Sequence, residues 1–187
     1  MNMKALSLIA LLGCALALPV AAQADNLYVG ASLGGARGRI DSNGNQSSAT
    51  NTGFTLYGGY QFNPTFGAEA GYAYLGNADA SYNGVDGAHI KPHALYAAAT
   101  ATLPLSTDFA LFAKAGVAFN HTRFEMPGGN QTLDNGNTTP MFGVGARFNI
   151  TPAMALVAEY DNYGKVQRED FAHIKADMIS FGLRYAF

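Results

Sequence analysis

Cysteine, tryptophan and charge are what this chain of 187 residues has least of. Its single cysteine is Cys14, so no intrachain disulfide can form and no thiolate site exists further along. Tryptophan is absent, so any aromatic belt must be built from Phe and Tyr. Charged residues make up 13%, about half the share of an ordinary soluble domain. Lys and Arg number 11 against 13 Asp and Glu, and this lack of a basic surplus argues against a nucleic-acid partner. Beyond residue 24 there is no apolar run of the roughly 18 residues that a spanning helix needs. Glycine and aromatics are abundant, with 22 Gly, 10 Tyr and 12 Phe. Low charge, much Gly and Tyr and no spanning helix together point to a β-barrel in lipid.

The N-terminus reads as a secretory signal peptide over residues 1–24. Lys4 supplies the positive start, Ala5–Gly13 the apolar stretch, and Pro19 breaks it. Ala22-Gln23-Ala24 is a small-x-small site, which places cleavage between Ala24 and Asp25. Leu11-Leu12-Gly13-Cys14 also resembles a lipoprotein box in which Cys14 would be acylated. Against that, the apolar run continues past Cys14. Residues 25–187 then form one domain.

That domain alternates apolar and small or polar residues over eight stretches. Phe181, Leu183, Tyr185 and Phe187 share one face of the last stretch, while Ser180, Gly182, Arg184 and Ala186 share the other. The same pattern runs through Leu27–Gly34, Gly53–Phe62, Phe66–Leu75, Ala94–Leu103, Phe109–Asn120, Met141–Ile150 and Ala153–Tyr163. Short turns follow Phe62, Leu103 and Ile150. Longer polar connections over 36–51, 76–89, 121–137 and 164–175 read as mobile loops. The fold class is therefore all-β, an eight-stranded antiparallel up-and-down transmembrane β-barrel. Phe62, Phe66, Phe109, Phe148 and Phe187 fall at its turn end as an aromatic girdle.

Leu27-Tyr28-Val29-Gly30, Gly58-Gly59-Tyr60, Glu69-Ala70-Gly71-Tyr72, Ala158-Glu159-Tyr160 and the terminal Gly182-Leu183-Arg184-Tyr185-Ala186-Phe187 carry a resemblance. In them the chain is similar to the OmpA-like family of small eight-stranded outer-membrane barrels. The resemblance covers residues 25–187 and is specific for architecture. It implies a Gram-negative outer-membrane location with periplasmic termini, surrounded by outer-membrane lipid and lipopolysaccharide. It also implies that Gly182, Tyr185 and Phe187 are a signal read by the outer-membrane assembly machinery. A monomer is expected. The peptidoglycan-binding domain that often follows such a barrel is not implied.

Six charged residues take inward positions: Glu69, Glu159 and Asp161 against Lys114, Arg147 and Arg184. Their formal sum is zero, and family members resemble this in carrying a paired network across the lumen. Counting residues from the turn end puts Glu69 level with Arg147 and Arg184, and Lys114 and Glu159 slightly higher. The expected role is a plug of ion pairs in a barrel too narrow for a wide channel. His89, His93, His121 and His173 lie in or beside the polar connections and read as solvated, with no metal site and no cofactor. Seven basic residues there, Arg37, Arg39, Lys91, Arg123, Lys165, Arg168 and Lys175, could pair with lipopolysaccharide phosphates or simply keep loops soluble. A lipid A deacylase would use a His and Ser pair, but no His-x-Ser occurs, and His173 and Ser180 lack an orienting motif. The sequence thus predicts a non-enzymatic barrel for envelope integrity and surface-loop interaction or adhesion. A narrow porin-like channel is the second reading and a lipid A enzyme the third.

Overall fold

The computed structural model describes residues 26–42, 45–76, 78–82, 85–125, 132–169 and 172–187, with side chains placed for 26–38, 50–76, 92–121, 136–164 and 176–187. These residues form nine strand segments: β1 (Leu27–Ser42), β2 (Asn45–Gln61), β3 (Phe66–Tyr74), β4 (Ala78–Tyr82), β5 (Val85–Pro104), β6 (Phe109–Glu125), β7 (Thr132–Asn149), β8 (Met154–Glu169) and β9 (Ala172–Ala186). β3 and β4 both pair with β5, so they are two lengths of one stave, and the sheet closes as an eight-strand antiparallel barrel. The register slips by one residue between Tyr74↔His93 and Ala78↔Ile90. Gly76 beside the slip has φ +83, a left-handed conformation that a Cβ would strain.

Period-two alternation decides which way every stave faces. On β5, Leu95 is 52% exposed while its neighbours Ala94 and Tyr96 are 0% and 3% exposed. On β9, Phe181 is 68% exposed and Ser180 only 1%. The outward faces carry Leu33, Leu56, Leu111, Val117, Phe142, Val144, Leu156 and Leu183, all exposed. Such a surface is stable only against hydrocarbon, because closing the sheet satisfies the backbone and leaves an apolar exterior.

Three turns share one construction. Phe62 N donates to Phe66 O, Leu105 N to Phe109 O and Ile150 N to Met154 O, at 2.8–2.9 Å. In each, a polar residue one step on caps the turn: Asn63 Oδ1 accepts from Phe66 N, Ser106 Oγ from Phe109 N and Thr151 Oγ1 from Met154 N. Short polar side chains that bond nearby backbone are what such turns select. The expected girdle of Phe62, Phe66, Phe109, Phe148 and Phe187 lies at this end, every member exposed.

The opposite end departs from expectation. The connections read as long loops are largely strand: β1 and β2 stay in register out to Ser42↔Asn45, and β6 and β7 out to Glu125↔Thr132. Backbone ladders form without any apolar pattern in the side chains, so a Ser-, Thr- and Asn-rich stretch can continue a strand. These stretches carry no apolar alternation, so the pattern that reveals a membrane stave does not reveal its extension. Staves of 15–20 residues exceed the roughly 9–11 that cross a bilayer. The surplus stands beyond the apolar band as paired hairpins.

Candidate functional site

Lys114 is the hub of the lumen. It points inward from β6, is 3% exposed, and its Nζ donates to Glu69 Oε1 at 3.0 Å and to Glu159 Oε1 at 2.5 Å. Asp161 Oδ1 lies 3.3 Å from the same ammonium. All three carboxylates are buried. The Glu69 carboxylate accepts two further bonds, from Tyr28 Oη at 3.1 Å and Tyr96 Oη at 2.8 Å, and Asp161 Oδ2 accepts from Tyr163 Oη at 3.4 Å. Lys114 Nζ also stands 4.9 Å from the centre of the Tyr96 ring. A charge taken out of water is tolerated only when it is paired and its remaining lone pairs are bonded. Here one ammonium, three carboxylates and three tyrosines form a single cage, in which Asp161 Oδ1 lies beside the ammonium without a hydrogen bond of its own.

Glycine makes room for the cage. Lys114, Gly143 and Asp161 are register partners across β6, β7 and β8. A Cβ at Gly143 would overlap the Asp161 carboxylate and come within 2.7 Å of Lys114 Cε. The Lys114 stem therefore crosses a residue with no side chain to reach the next strand. The same device seats the inward aromatics: Tyr28 lies over Gly59, Tyr57 over Gly30, Tyr96 over Gly71 and Phe112 over Gly145, each pair in register.

The lumen changes character on either side of the cage. Toward the hairpins it is closed by Met141, Met178 and Tyr163, each at most 1% exposed, with Thr55 Oγ1 donating to Met178 Sδ at 3.7 Å. Toward the turns stand Arg147 and Arg184, half-buried. Arg184 stacks on the Tyr28 ring at 3.3 Å. Among the described residues no carboxylate lies within ion-pairing distance of either arginine, and Arg147 Nε has no hydrogen-bond partner. Glu69, expected level with these arginines, instead meets Lys114, which stands two residues along β6 from Gly116, the residue that the ladder sets level with Glu69. Between cage and arginines is a cavity of about 10 Å³, lined by Tyr28, Tyr57, Glu69, Thr100, Glu159 and Arg184 among others. That is the room one water needs.

Comparison with known proteins fits this geometry. The family model for the OmpA-like transmembrane domain matches residues 22–187. The chain belongs to the OmpA-like transmembrane domain family. Outer membrane protein A of Shigella flexneri is 29% identical over 188 residues, covering 96% of this chain and 53% of that protein. The Salmonella typhi protein of the same name gives the same figures. The chain thus spans about half the length of the curated relatives it matches. Among solved structures, Neisserial surface protein A superposes with TM-score 0.60 at 21% identity, covering 86% of this chain and 97% of that one. Ail, the attachment invasion locus protein of Yersinia pestis, gives 0.56 at 19%, covering 86% and 99%. Both likenesses concern the fold.

The other candidate residues of this OmpA-like barrel fall as follows. Phe187 N donates to Leu27 O at 3.0 Å, so the last residue pairs with the first stave and helps close the ring. Tyr185 and Phe187 face outward with their rings 5.1 Å apart, and Gly182 faces Ser32, whose Cα a Cβ there would crowd at 2.6 Å. Ala24 and Asp25 lie outside the described residues. The histidines and basic residues expected on loops are on strands: Arg37 and Arg39 on β1, His89, Lys91 and His93 on β5, His121 and Arg123 on β6, Lys165 and Arg168 on β8, His173 and Lys175 on β9. His93 and His121 are register partners with stacked rings, a pairing that spacing within one strand could not reveal. The signal that would have found the cage is an inward lysine whose cross-strand neighbour is glycine.

Proposed function

We propose that this barrel is a non-enzymatic component of the Gram-negative outer membrane. Its hairpins face outward and its termini face the periplasm. It works by reinforcing the envelope and presenting its hairpins to a surface ligand. The observation that carries the reading is the filled lumen, where the Lys114 cage and the Met141–Met178–Tyr163 layer leave no space for a substrate. Planar-bilayer recording tests it: the intact protein should give a steady baseline without large stable openings. The half-buried Arg147 and Arg184 favour a second reading, a narrow channel whose vestibule reaches as far as the cage. Stable large conductance would select that reading. Lipid A of unchanged mass in cells with and without the protein would speak against an enzyme.

The processing site between Ala24 and Asp25 belongs to this proposal, and N-terminal sequencing of outer-membrane fractions should find Asp25 first. Gly182, Tyr185 and Phe187 are proposed to engage the assembly machinery. Deleting Phe187 should leave secretion intact and reduce the heat-modifiable, folded form, since the first and last staves lose a closing bond. The ligand class is open to test with polyanionic saccharides, because Ail, which shares the fold, was solved in complex with a heparin analogue.

A further inference from the structure

Two imidazoles on the outward face have no part in the lumen. His93 on β5 and His121 on β6 are register partners, and their rings stack at 5.8 Å and 11°. The Tyr72 ring on β3 lies 5.9 Å from that of His93. Both histidines follow the outward alternation, two residues toward the hairpins from Leu95 and Phe119, which are 52% and 43% exposed. His93 is half-buried and His121 exposed. Their register row runs through Phe54, Tyr74, His93, His121 and Gly136, and it carries no charged residue. Along the chain these histidines are far apart, and the ladder alone sets them side by side.

Directly opposed residues of an antiparallel ladder hold their Cβ atoms about 4.5–5.5 Å apart, within reach of a shared ion. A neutral imidazole keeps one nitrogen lone pair free to ligate a metal. A metal bound at about 2.0–2.1 Å by each ring holds the two nitrogens at most about 4.2 Å apart. Rings stacked at 5.8 Å meet that limit by tipping their nitrogen edges together, while the ladder holds the backbone in place. Opposite His121 the chain has Gly136, and the place its Cβ would occupy lies 3.5 Å from His121 Nε2. Any side chain there would crowd that nitrogen, whereas glycine leaves room for an ion and for the waters that complete its coordination. An aromatic belt needs only ring faces, which Phe and Tyr supply elsewhere on this barrel. The lone pair is what imidazole adds. Two nitrogens without a carboxylate suit Cu2+, Ni2+ and Zn2+, and do not suit the oxygen-seeking Mg2+ and Ca2+.

We propose that His93 and His121 form a cross-strand site for one divalent transition-metal ion, with Cu2+ held most tightly of the three. One nitrogen of each ring ligates the ion, and Tyr72 packs beside His93 to orient its ring. The bound ion ties β5 to β6 at the level where both leave the apolar band.

The test uses the untagged full chain folded in phosphocholine nanodiscs, with Cu2+, Ni2+ and Zn2+ as probes and Mg2+ as the control. Electron paramagnetic resonance with one equivalent of Cu2+ should show coupling to two nitrogens. His93→Phe and His121→Phe each keep an aromatic ring in the stack and remove its lone pair. Each should weaken Cu2+ binding at least roughly tenfold in a calorimetric titration, the lower end of the loss caused by disturbing a metal's surroundings. The double variant should lose the two-nitrogen signal. His173→Phe on β9 should bind as the parent does. An unchanged heat-induced gel shift shows that each variant is folded. A parent signal from one nitrogen or none overturns the site. So does full affinity in the double variant, loss of binding in His173→Phe, or Mg2+ bound as tightly as Zn2+.

Discussion

Lys114 and Arg184 both point into one lumen from neighbouring levels, and they are held differently. Lys114 is fully buried and meets three carboxylates within 3.3 Å. Arg184 is half-buried, rests on the face of Tyr28, and has no described carboxylate within ion-pairing distance. Six inward charges that sum to zero therefore do not make three pairs. They make one crowded cage with a surplus of carboxylates and one looser arginine layer on its turn side, with a small cavity lined by both Glu159 and Arg184. A formal charge sum is a constraint on the whole lumen, while the register of the staves decides who pairs with whom.

The contrast can be pressed hardest at Lys114. Lys114→Met should destabilise the folded barrel by about 3–5 kcal/mol, because three buried carboxylates lose their common cation. Urea unfolding in lipid vesicles, read by gel shift, measures it. Gly143→Val comes next, at about 1–3 kcal/mol, since its side chain would enter space held by Asp161 and Lys114. An unaltered midpoint for Gly143→Val would mean that the Lys114 stem does not need that gap. Tyr96→Phe removes one donor from the buried Glu69 carboxylate and should cost about 1–2 kcal/mol by the same assay. Arg147→Met and Arg184→Met should each cost less than about 1 kcal/mol, as expected for partly solvated charges without an ion-pair partner. If either matched Lys114→Met, the two layers would not differ as described.

Much of this barrel was legible in its sequence, and the reason is physical. A stave with lipid on one side and a packed lumen on the other must alternate, so the facing of Leu95, Tyr96, Phe181 and Ser180 follows from spacing alone. The three short turns also fix register locally: the turn at 149–153 sets Gly143 opposite Asp161 and Gly145 opposite Glu159. What joins Lys114 to Gly143 is the β6–β7 hairpin, which reaches out to Glu125↔Thr132 before it turns. No tight turn at the membrane pins that register, so residue counting gives the height of Glu69 and Lys114 but not their pairing. The hairpin extensions are hidden for the complementary reason: their Ser-, Asn- and Thr-rich sequence has no apolar alternation to read. The stacked His93 and His121 belong to the same class, being neighbours across a ladder rather than along a strand.

The central claim is that Lys114 is needed because three acidic side chains are buried and crowded around it. The most direct test compares Lys114→Met alone with the neutralised cage, Lys114→Met together with Glu69→Gln, Glu159→Gln and Asp161→Asn, by urea unfolding in the same vesicles. Removing the stranded charges should return a large part of the stability lost in the single variant. A neutralised cage no more stable than Lys114→Met alone would contradict the account, because the lysine would then be holding the lumen by its bulk and not by its charge.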